Sequence, residues 1–65
     1  MMLQLNGEAH ATAASTVAGL VQELSLDVRK VAVERNLEIV PRSLYAEVGL
    51  AEGDRIEIVH FIGGG

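Results

Sequence analysis

One stretch of the chain has the apolar spacing of a helix with a single buried face, at positions i, i+3, i+4 and i+7. The residues of this stripe are Val17, Leu20, Val21 and Leu24. Ser15 or Thr16 can cap the helix, which we predict over residues 16–24. Gly19 lies inside it, and we expect Gly19 to allow a close approach of the helix to a sheet. Because one helix can cover only one face of a sheet, this stripe restricts the chain to a small two-layer fold.

Short strand-like segments separated by turn residues make up most of the remaining chain. These segments are residues 2–5, 8–13, 31–33, 38–40 and 55–62. Asn6-Gly7 joins the first two and is the dipeptide most typical of a two-residue hairpin turn. Pro41 ends the fourth segment because it has no N–H to donate within a sheet. The irregular apolar spacing of residues 44–50 predicts a short helix or turn at the edge of the core.

The order of these elements predicts an α+β fold of the β-grasp, or ubiquitin-like, type. A mixed sheet of four to five strands then carries one main helix packed on one face. In this arrangement the first and last strands lie side by side and parallel at the centre, where both should be strongly apolar. The residues that meet this requirement, and on which we expect the helix to pack, are Leu3, Leu5, Ile56 and Ile58. The domain is predicted to cover residues 1–62.

The composition argues against several classes of protein. The 65 residues contain no cysteine, so neither a disulfide nor a Cys-rich zinc site can hold the core. The net charge is −4 and no basic stretch is interleaved with aromatic residues, which argues against a nucleic-acid partner. No apolar run approaches the roughly 18 residues of a membrane-spanning helix, and the N-terminus lacks the pattern of a signal peptide. We therefore expect a cytoplasmic protein, with no membrane contact, that is monomeric when free.

The sequence finishes with Gly63, Gly64 and Gly65, directly after the last strand-like segment. Three terminal glycines arise by chance in only about 0.03% of chains at average composition. Glycine has no Cβ, so we expect a flexible tail, residues 63–65, that can thread a narrow channel and present the Gly65 carboxylate about 10 Å beyond the fold. The alternative is a frayed end or a linker left by engineering, without a function.

Two sequence blocks and the terminal glycines resemble a known family. The blocks are residues 33–43, VERNLEIVPRS, and 53–59, GDRIEIV. With them the chain resembles, over nearly its whole length, the ThiS family, the ubiquitin-like sulfur carriers of thiamine synthesis. The IVPR segment within the first block distinguishes this family from the related molybdopterin carriers. The chain departs from the family pattern at Tyr45, where a tryptophan is frequent, at Leu37, where a more polar turn residue is usual, and at Ser25, which replaces a common glycine.

The resemblance implies a chemistry at the carboxyl terminus. In this family an E1-like adenylyltransferase of the ThiF type uses ATP to adenylate the terminal carboxylate, here that of Gly65. Sulfur taken from cysteine through a cysteine desulfurase then gives a thiocarboxylate, which donates sulfur to a thiazole synthase of the ThiG type. Gly63 and Gly64 would lie in the channel of the activating enzyme. The carrier itself would have no catalytic residue, bind no cofactor and hold no metal.

Alternation along the last strand predicts a docking surface next to the tail. Ile56 and Ile58 point to the helix side of the sheet. Val59 and Phe61 then point to the opposite face, and two apolar residues beside a functional tail favour a surface that contacts the partner enzyme. We expect Met2 to be their neighbour in this surface. The simpler interpretation, apolar residues scattered on a surface, is common in proteins.

Other polar residues are explained more simply by structure than by catalysis. Three serines and two histidines formally permit a hydrolase triad, but no Gly-x-Ser-x-Gly motif surrounds any of the serines. His10 and His60 stand alone on strand-like segments, which provides too few ligands for a metal site. Arg42 is expected to pair with a surface carboxylate. Asp54 is expected to accept hydrogen bonds from nearby backbone in a turn.

Two alternatives to a thiamine carrier stay open from the sequence. One is a sulfur carrier for another pathway, such as molybdopterin, cysteine or a sulfur-containing siderophore, because the shared fold and tail do not name the acceptor. The other is a β-grasp module that binds its partners without covalent chemistry and has an inert tail. Only a carrier needs Gly65 as a free last residue.

Overall fold

A computed structural model describes residues 1–61, in which five strands accompany one α-helix. The strands are β1 Met2–Leu5, β2 Glu8–Ala11, β3 Val31–Arg35, β4 Glu38–Val40 and β5 Arg55–His60, and the helix is α1 Val17–Glu23. Two short 3₁₀ helices span Val28–Lys30 and Arg42–Leu44. No helix in this part of the chain is long and apolar enough to cross a membrane. The predicted end of the domain at Ile62 and the predicted tail, residues 63–65, lie outside the described residues.

The five strands form one mixed sheet in the order β2-β1-β5-β3-β4. β1 and β5 run parallel, with Gln4 opposite Arg55 and Leu5 opposite Ile56. The pairs β1–β2, β3–β4 and β3–β5 are antiparallel. A five-stranded sheet that has the first and last strands parallel at its centre and one α-helix on one face is the β-grasp topology. The predicted fold class is therefore confirmed.

Three strands differ in length from their predictions. β5 ends at His60, before the end of the predicted segment 55–62. β2 ends at Ala11, two residues before the predicted end at 13. The next residue, Thr12, is buried. Its N–H still donates to the Met1 carbonyl at 2.9 Å, and its hydroxyl donates to the Glu23 carboxylate of α1 at 2.6 Å, so Thr12 joins the edge of the sheet to the helix. β3 continues to Arg35, two residues beyond its predicted end, because this part of it pairs with β4 on one side and β5 on the other.

The hydrophobic core lies between α1 and one face of the sheet. Its fully buried side chains are Leu3, Val17, Leu20, Val21, Val31, Val33 and Ile56. Leu5, Leu24 and Ile58 are partly buried and pack against this cluster, so the predicted core set is confirmed. Tyr45, which follows the second 3₁₀ helix, is also buried, and its hydroxyl donates to the Val31 carbonyl at 3.4 Å. Residues 44–50 thus contribute to the core edge, as predicted.

Thr16 caps the start of α1, since its hydroxyl accepts a hydrogen bond from the Gly19 N–H at 3.1 Å. The helix is one residue shorter at each end than predicted, because Thr16 and Leu24 are its caps. A Cβ on Gly19 would lie 3.3 Å from both the Thr16 hydroxyl oxygen and the Ala14 Cβ. Both atoms belong to the segment that precedes the helix, so the prediction that Gly19 approaches the sheet is wrong. The missing side chain instead leaves room for the chain that leads into the helix.

Within residues 1–61, four residues other than glycine have left-handed backbone conformations: Asn6, Ser25, Asn36 and Leu37. Asn6 with Gly7, and Asn36 with Leu37, form the two-residue turns of the β1–β2 and β3–β4 hairpins. Such turns favour positive φ at both positions. Ser25 follows the end of α1, where glycine is the usual residue. Two departures from the family pattern, Leu37 and Ser25, therefore occupy positions at which a side chain is strained.

Candidate functional site

β5 carries the predicted docking residues on the face of the sheet opposite α1. Ile56 is fully buried on the helix side, whereas Val59 is 60% exposed and Phe61 is 46% exposed. Phe61 follows the last residue of β5, and its N–H still donates to the Lys30 carbonyl at 2.8 Å. The predicted orientation of Val59 and Phe61 is confirmed, and their contact with a partner stays a prediction.

Residues of β3 and β4 extend the outer face around Val59. Glu57 lies opposite Glu34, and Glu34 in turn lies opposite Ile39. Ile39 is 65% exposed. Because cross-strand partners share one face of a sheet, the outer face near Val59 includes Ile39 and two neighbouring carboxylates. Sequence reasoning missed Ile39, although its alternation with the inward-facing Val40 was available as a signal.

Met2 lies on the outer face but at the far end of the sheet, so the prediction that it neighbours Val59 is wrong. The parallel register places Gln4 opposite Arg55. Met2 comes two residues before Gln4 and Val59 comes four residues after Arg55, which separates Met2 from Val59 by six residues along the strands. At the rise of a parallel strand this is about 20 Å. Met2 instead contacts the turn before β5, where the Gly53 N–H donates to its carbonyl at 2.8 Å.

Asn6 and Asn36 each bind the backbone of β5 through a side-chain amide. The Ile58 N–H donates to Asn6 Oδ1 at 2.8 Å, and Asn6 Nδ2 donates to the Ile58 carbonyl at 3.3 Å. At the start of β5, the Arg55 N–H donates to Asn36 Oδ1 at 2.9 Å. Sequence reasoning assigned Asn6 only to a turn and predicted no contact with β5 for either asparagine. The asparagines and their partners are separated by 52 and 19 residues in the sequence, so no local sequence pattern predicts these contacts.

Asp54 forms a buried polar cluster just before β5. Its carboxylate accepts hydrogen bonds from the Ala51 N–H at 2.8 Å, Arg35 Nε at 2.8 Å and Asn36 Nδ2 at 3.1 Å. The predicted bond to nearby backbone is confirmed, and Arg35 and Asn36 are partners that the sequence did not indicate. Burial raises the pKa of Asp54, but the hydrogen bonds from Asn36, Ala51 and Arg35 outweigh burial and keep this pKa below its ordinary value. The cluster ties the turn before β5 to the β3–β4 hairpin.

Asp54→Asn is expected to lower the free energy of unfolding near neutral pH by about 1 to 3 kcal/mol, because the buried pair with Arg35 loses its negative charge. The folded pKa of Asp54 is lowered, so its contribution is complete above the unfolded pKa of about 3.9 and is lost as the pH falls through the folded value. Urea unfolding near neutral pH and at about pH 3 measures this difference. Glu8→Gln, at an exposed carboxylate of β2, is the control. An Asp54→Asn difference that does not shrink in acid would contradict the assignment.

His10 lies beside a carboxylate that has other partners. Its Nε2 is 3.6 Å from Glu23 Oε1. The same oxygen of Glu23 accepts the hydrogen bond from the Thr12 hydroxyl, which lowers the pKa of Glu23. His60 and Arg42 are exposed. Among residues 1–61, no group of three or more His, Cys, Asp or Glu side chains is placed to hold a metal ion.

A β-grasp sheet whose central strand is also the last strand before the terminal glycines defines a ubiquitin-like protein. The sequence model of the ThiS family matches residues 3–65, which is nearly the whole chain. The chain belongs to the ThiS family.

Individual relatives agree with this assignment. The sulfur carrier protein ThiS of Bacillus subtilis is 46% identical over 66 aligned residues, which cover 98% of this chain and 100% of that protein. A thiazole synthase of Paramagnetospirillum magneticum is 61% identical over 66 aligned residues, which cover 100% of this chain. The chain spans only 20% of the length of that thiazole synthase. The crystal structure of the thiamine biosynthesis protein ThiS from Geobacter metallireducens superimposes with a TM-score of 0.84 at 29% identity and covers 100% of both chains.

Proposed function

We propose that this chain is a sulfur carrier of thiamine synthesis, and that its Gly65 carboxylate is adenylated and then converted to a thiocarboxylate. The observation that carries this proposal is the similarity, over the full length of both chains, to a Bacillus subtilis protein named as a sulfur carrier. The similar fold of a Geobacter metallireducens protein named for thiamine biosynthesis supports the same pathway. The residues that would react lie outside the described part of the chain, and the terminal glycines of the sequence support the chemistry.

The proposed chemistry needs little from the carrier besides its terminus. A carboxylate is a poor electrophile, so one of its oxygens first attacks the α-phosphorus of ATP, and pyrophosphate leaves. A sulfur nucleophile then attacks the acyl carbon, and AMP leaves with that oxygen. Hydrosulfide gives the thiocarboxylate directly, whereas a persulfide from a desulfurase gives an acyl disulfide, which a thiol then cleaves to the thiocarboxylate while it forms a disulfide with the former persulfide carrier. Because the chain has no cysteine, its terminus is the natural place to hold transferable sulfur. A ThiF-type enzyme and a desulfurase would supply the catalysis, and ATP would be bound by the enzyme rather than by the carrier.

We propose a thiazole synthase of the ThiG type as the sulfur acceptor. The thiazole synthase of Paramagnetospirillum magneticum contains a segment that is 61% identical to this chain. Joining two units in one polypeptide keeps them at a high effective concentration, which favours units that act on each other. This observation favours thiamine over molybdopterin or cysteine as the destination of the sulfur.

Incubation with a ThiF-type enzyme, ATP and a sulfur donor, followed by intact mass measurement, tests the carrier chemistry. A sulfur-for-oxygen mass increase is expected for this chain and for the Bacillus subtilis ThiS protein, which serves as the positive control. If only the control gains mass, the inert β-grasp module is the better interpretation. Adding a thiazole synthase and following the loss of the thiocarboxylate then tests the acceptor.

Val59 and Phe61 are proposed to contact the ThiF-type enzyme, because they form an exposed apolar pair immediately before the tail. Val59→Asp is expected to weaken the complex by about 2 kcal/mol, or roughly 30-fold in Kd, since a charge would be desolvated at the interface. The melting temperature should not change, because Val59 is exposed in the free protein. Titration calorimetry and thermal melting measure the two effects.

Met2→Asp is the matched control, because Met2 lies on the same face of the sheet but about 20 Å from Val59. It should bind the enzyme as the parent does. Unchanged affinity of a folded Val59→Asp protein would remove Val59 from the docking surface. Equal weakening by both substitutions would show that the added charge, rather than its position, is responsible.

A further inference from the structure

We infer that the Asn6 side chain is a positioning residue that holds the end of β5 in the orientation from which the tail is presented to the activating enzyme. This inference rests on the proposed carrier function for its biological purpose. It differs from the docking proposal because Asn6 acts through Ile58 and needs no contact with the partner.

The backbone of β1 cannot follow β5 to its end. The last β1 residue paired with β5 is Leu5, opposite Ile56, and the Asn6 N–H donates to the Ile56 carbonyl at 2.9 Å. Asn6 and Gly7 then adopt positive φ angles of 50° and 84° and turn the chain into β2. If the parallel pairing continued, the carbonyl of residue 6 would accept from the Ile58 N–H, and the N–H of residue 8 would donate to the Ile58 carbonyl. The turn removes both.

The Asn6 side-chain amide replaces these two missing backbone groups. Its Oδ1 accepts from the Ile58 N–H at 2.8 Å, and its Nδ2 donates to the Ile58 carbonyl at 3.3 Å. A side-chain amide has the same acceptor and donor groups as a peptide bond, so it can extend the pairing by one step. On the β1 side of the sheet, β5 is therefore held as far as Ile58.

The opposite side of β5 is held further along. β3 pairs with β5 up to Val31 opposite His60, and the Phe61 N–H donates to the Lys30 carbonyl. The outward-facing Val59 and Phe61 lie on this last stretch, within three residues of Ile58. Without the Asn6 amide, the attachment of β5 on the β1 side would end at Ile56 instead of Ile58, so a longer stretch would be held along the β3 edge only and would reach the partner less ordered. The enzyme would then have to order it on binding, which lowers affinity.

Asn36 provides a matched comparison within the same molecule. It also occupies the first position of a two-residue hairpin turn, with a φ of 52°. Its amide accepts from the Arg55 N–H at 2.9 Å, at the start of β5 and six residues before Phe61. The Asn36 amide also donates to the buried Asp54 carboxylate at 3.1 Å, so Asn36→Gly should lower the stability at least as much as Asn6→Gly. If Asn6 acted only through stability, Asn36→Gly would disturb residues 59–61 as well. If Asn6 positions the strand end, only its loss should disturb Val59 and Phe61.

The test compares Asn6→Gly with Asn36→Gly, because glycine keeps the positive φ of each turn and removes only the amide. Backbone ¹⁵N relaxation of the free proteins gives order parameters for residues 59–61. In Asn6→Gly these should fall from about 0.85 to below about 0.6, whereas Asn36→Gly should leave them unchanged. In adenylation by a ThiF-type enzyme, Asn6→Gly should raise the KM roughly tenfold and change kcat by less than about twofold. The reason is that the enzyme must order residues 59–61 when it binds the variant, whereas the chemical step in the bound complex is the same.

Asn6→Asp is the second variant, for the case that Asn6→Gly does not fold. The carboxylate keeps an acceptor for the Ile58 N–H but loses the donor to the Ile58 carbonyl, so an intermediate loss of order is expected. Parent-like order parameters at residues 59–61 in folded Asn6→Gly or Asn6→Asp would overturn the inference, as would an equal loss in Asn36→Gly. If the parent itself is not adenylated, the carrier proposal fails, and the relaxation data still decide the role of Asn6.

Discussion

A protein that lacks Gly65 is expected to gain no sulfur from the ThiF-type enzyme, although it folds as the parent does. The fold should be unaffected, because the buried core cluster runs from Leu3 to Ile56. Deleting one residue withdraws the reacting carboxylate by about 3.5 Å. Since a misplacement of about 1 Å can lower a rate by about 100-fold, the loss of adenylation should be at least that large. Intact mass measurement after incubation with enzyme, ATP and sulfur donor provides the test.

Two further variants separate the position of the carboxylate from the identity of the last residue. Adding one alanine after Gly65 keeps every native residue but moves the carboxylate outward, so the same loss is expected. Gly64→Val keeps the length and adds a side chain where we predict a narrow channel, so activation should again fail. Circular dichroism confirms that each variant is folded. If the protein without Gly65 still gained sulfur, the assignment of this terminus as the carrier site would be wrong.

The spacing of the apolar residues and the residue types at the turns were sufficient to predict most of the fold. Each end of α1 lies within one residue of the end predicted from its apolar stripe, and the Asn6-Gly7 turn joins β1 and β2 as predicted. These features depend on residues that are close in sequence, where spacing and preferred φ angles decide the structure. The parallel neighbours β1 and β5 followed from the β-grasp topology that the order of the elements predicts, and the apolar residues of both strands agreed with a central position.

Contacts between distant residues could not be predicted in the same way. The alternation of β5 correctly placed Val59 on the outer face, because the side-chain period of a strand is a local property. The prediction that Met2 neighbours Val59 failed because it depends on the register of β1 against β5. No short turn joins these two parallel strands, so no local sequence feature determines their register. The pairing of Arg35 with Asp54 likewise could not be predicted from neighbouring residues, because 19 residues separate the two and the chain contains several other acidic residues that could pair with Arg35.

Leu20→Ala is expected to remove a large part of the stability of this domain. Leu20 lies in the middle of α1, has 0% exposure and belongs to the same core cluster as Leu3 and Ile56. Truncating a buried leucine costs about 2 to 5 kcal/mol, because transfer free energy is lost and a cavity remains. Native domains have about 0.05 to 0.15 kcal/mol of stability per residue, so a chain of this length has only about 3 to 10 kcal/mol in total. The variant should therefore melt at least about 10 °C below the parent.

Leu37→Ala is the matched control, since it makes the same chemical change at a leucine that is 70% exposed in the β3–β4 turn. Leu37 has a φ of 71°, a conformation about as strained for alanine as for leucine, so this change should shift the melting temperature little. Thermal and urea unfolding of both variants measure the contrast. A Leu20→Ala protein that melts within a degree or two of the parent would mean that α1 does not pack on the sheet through Leu20. A large loss in Leu37→Ala as well would show that leucine truncation destabilises this chain regardless of burial.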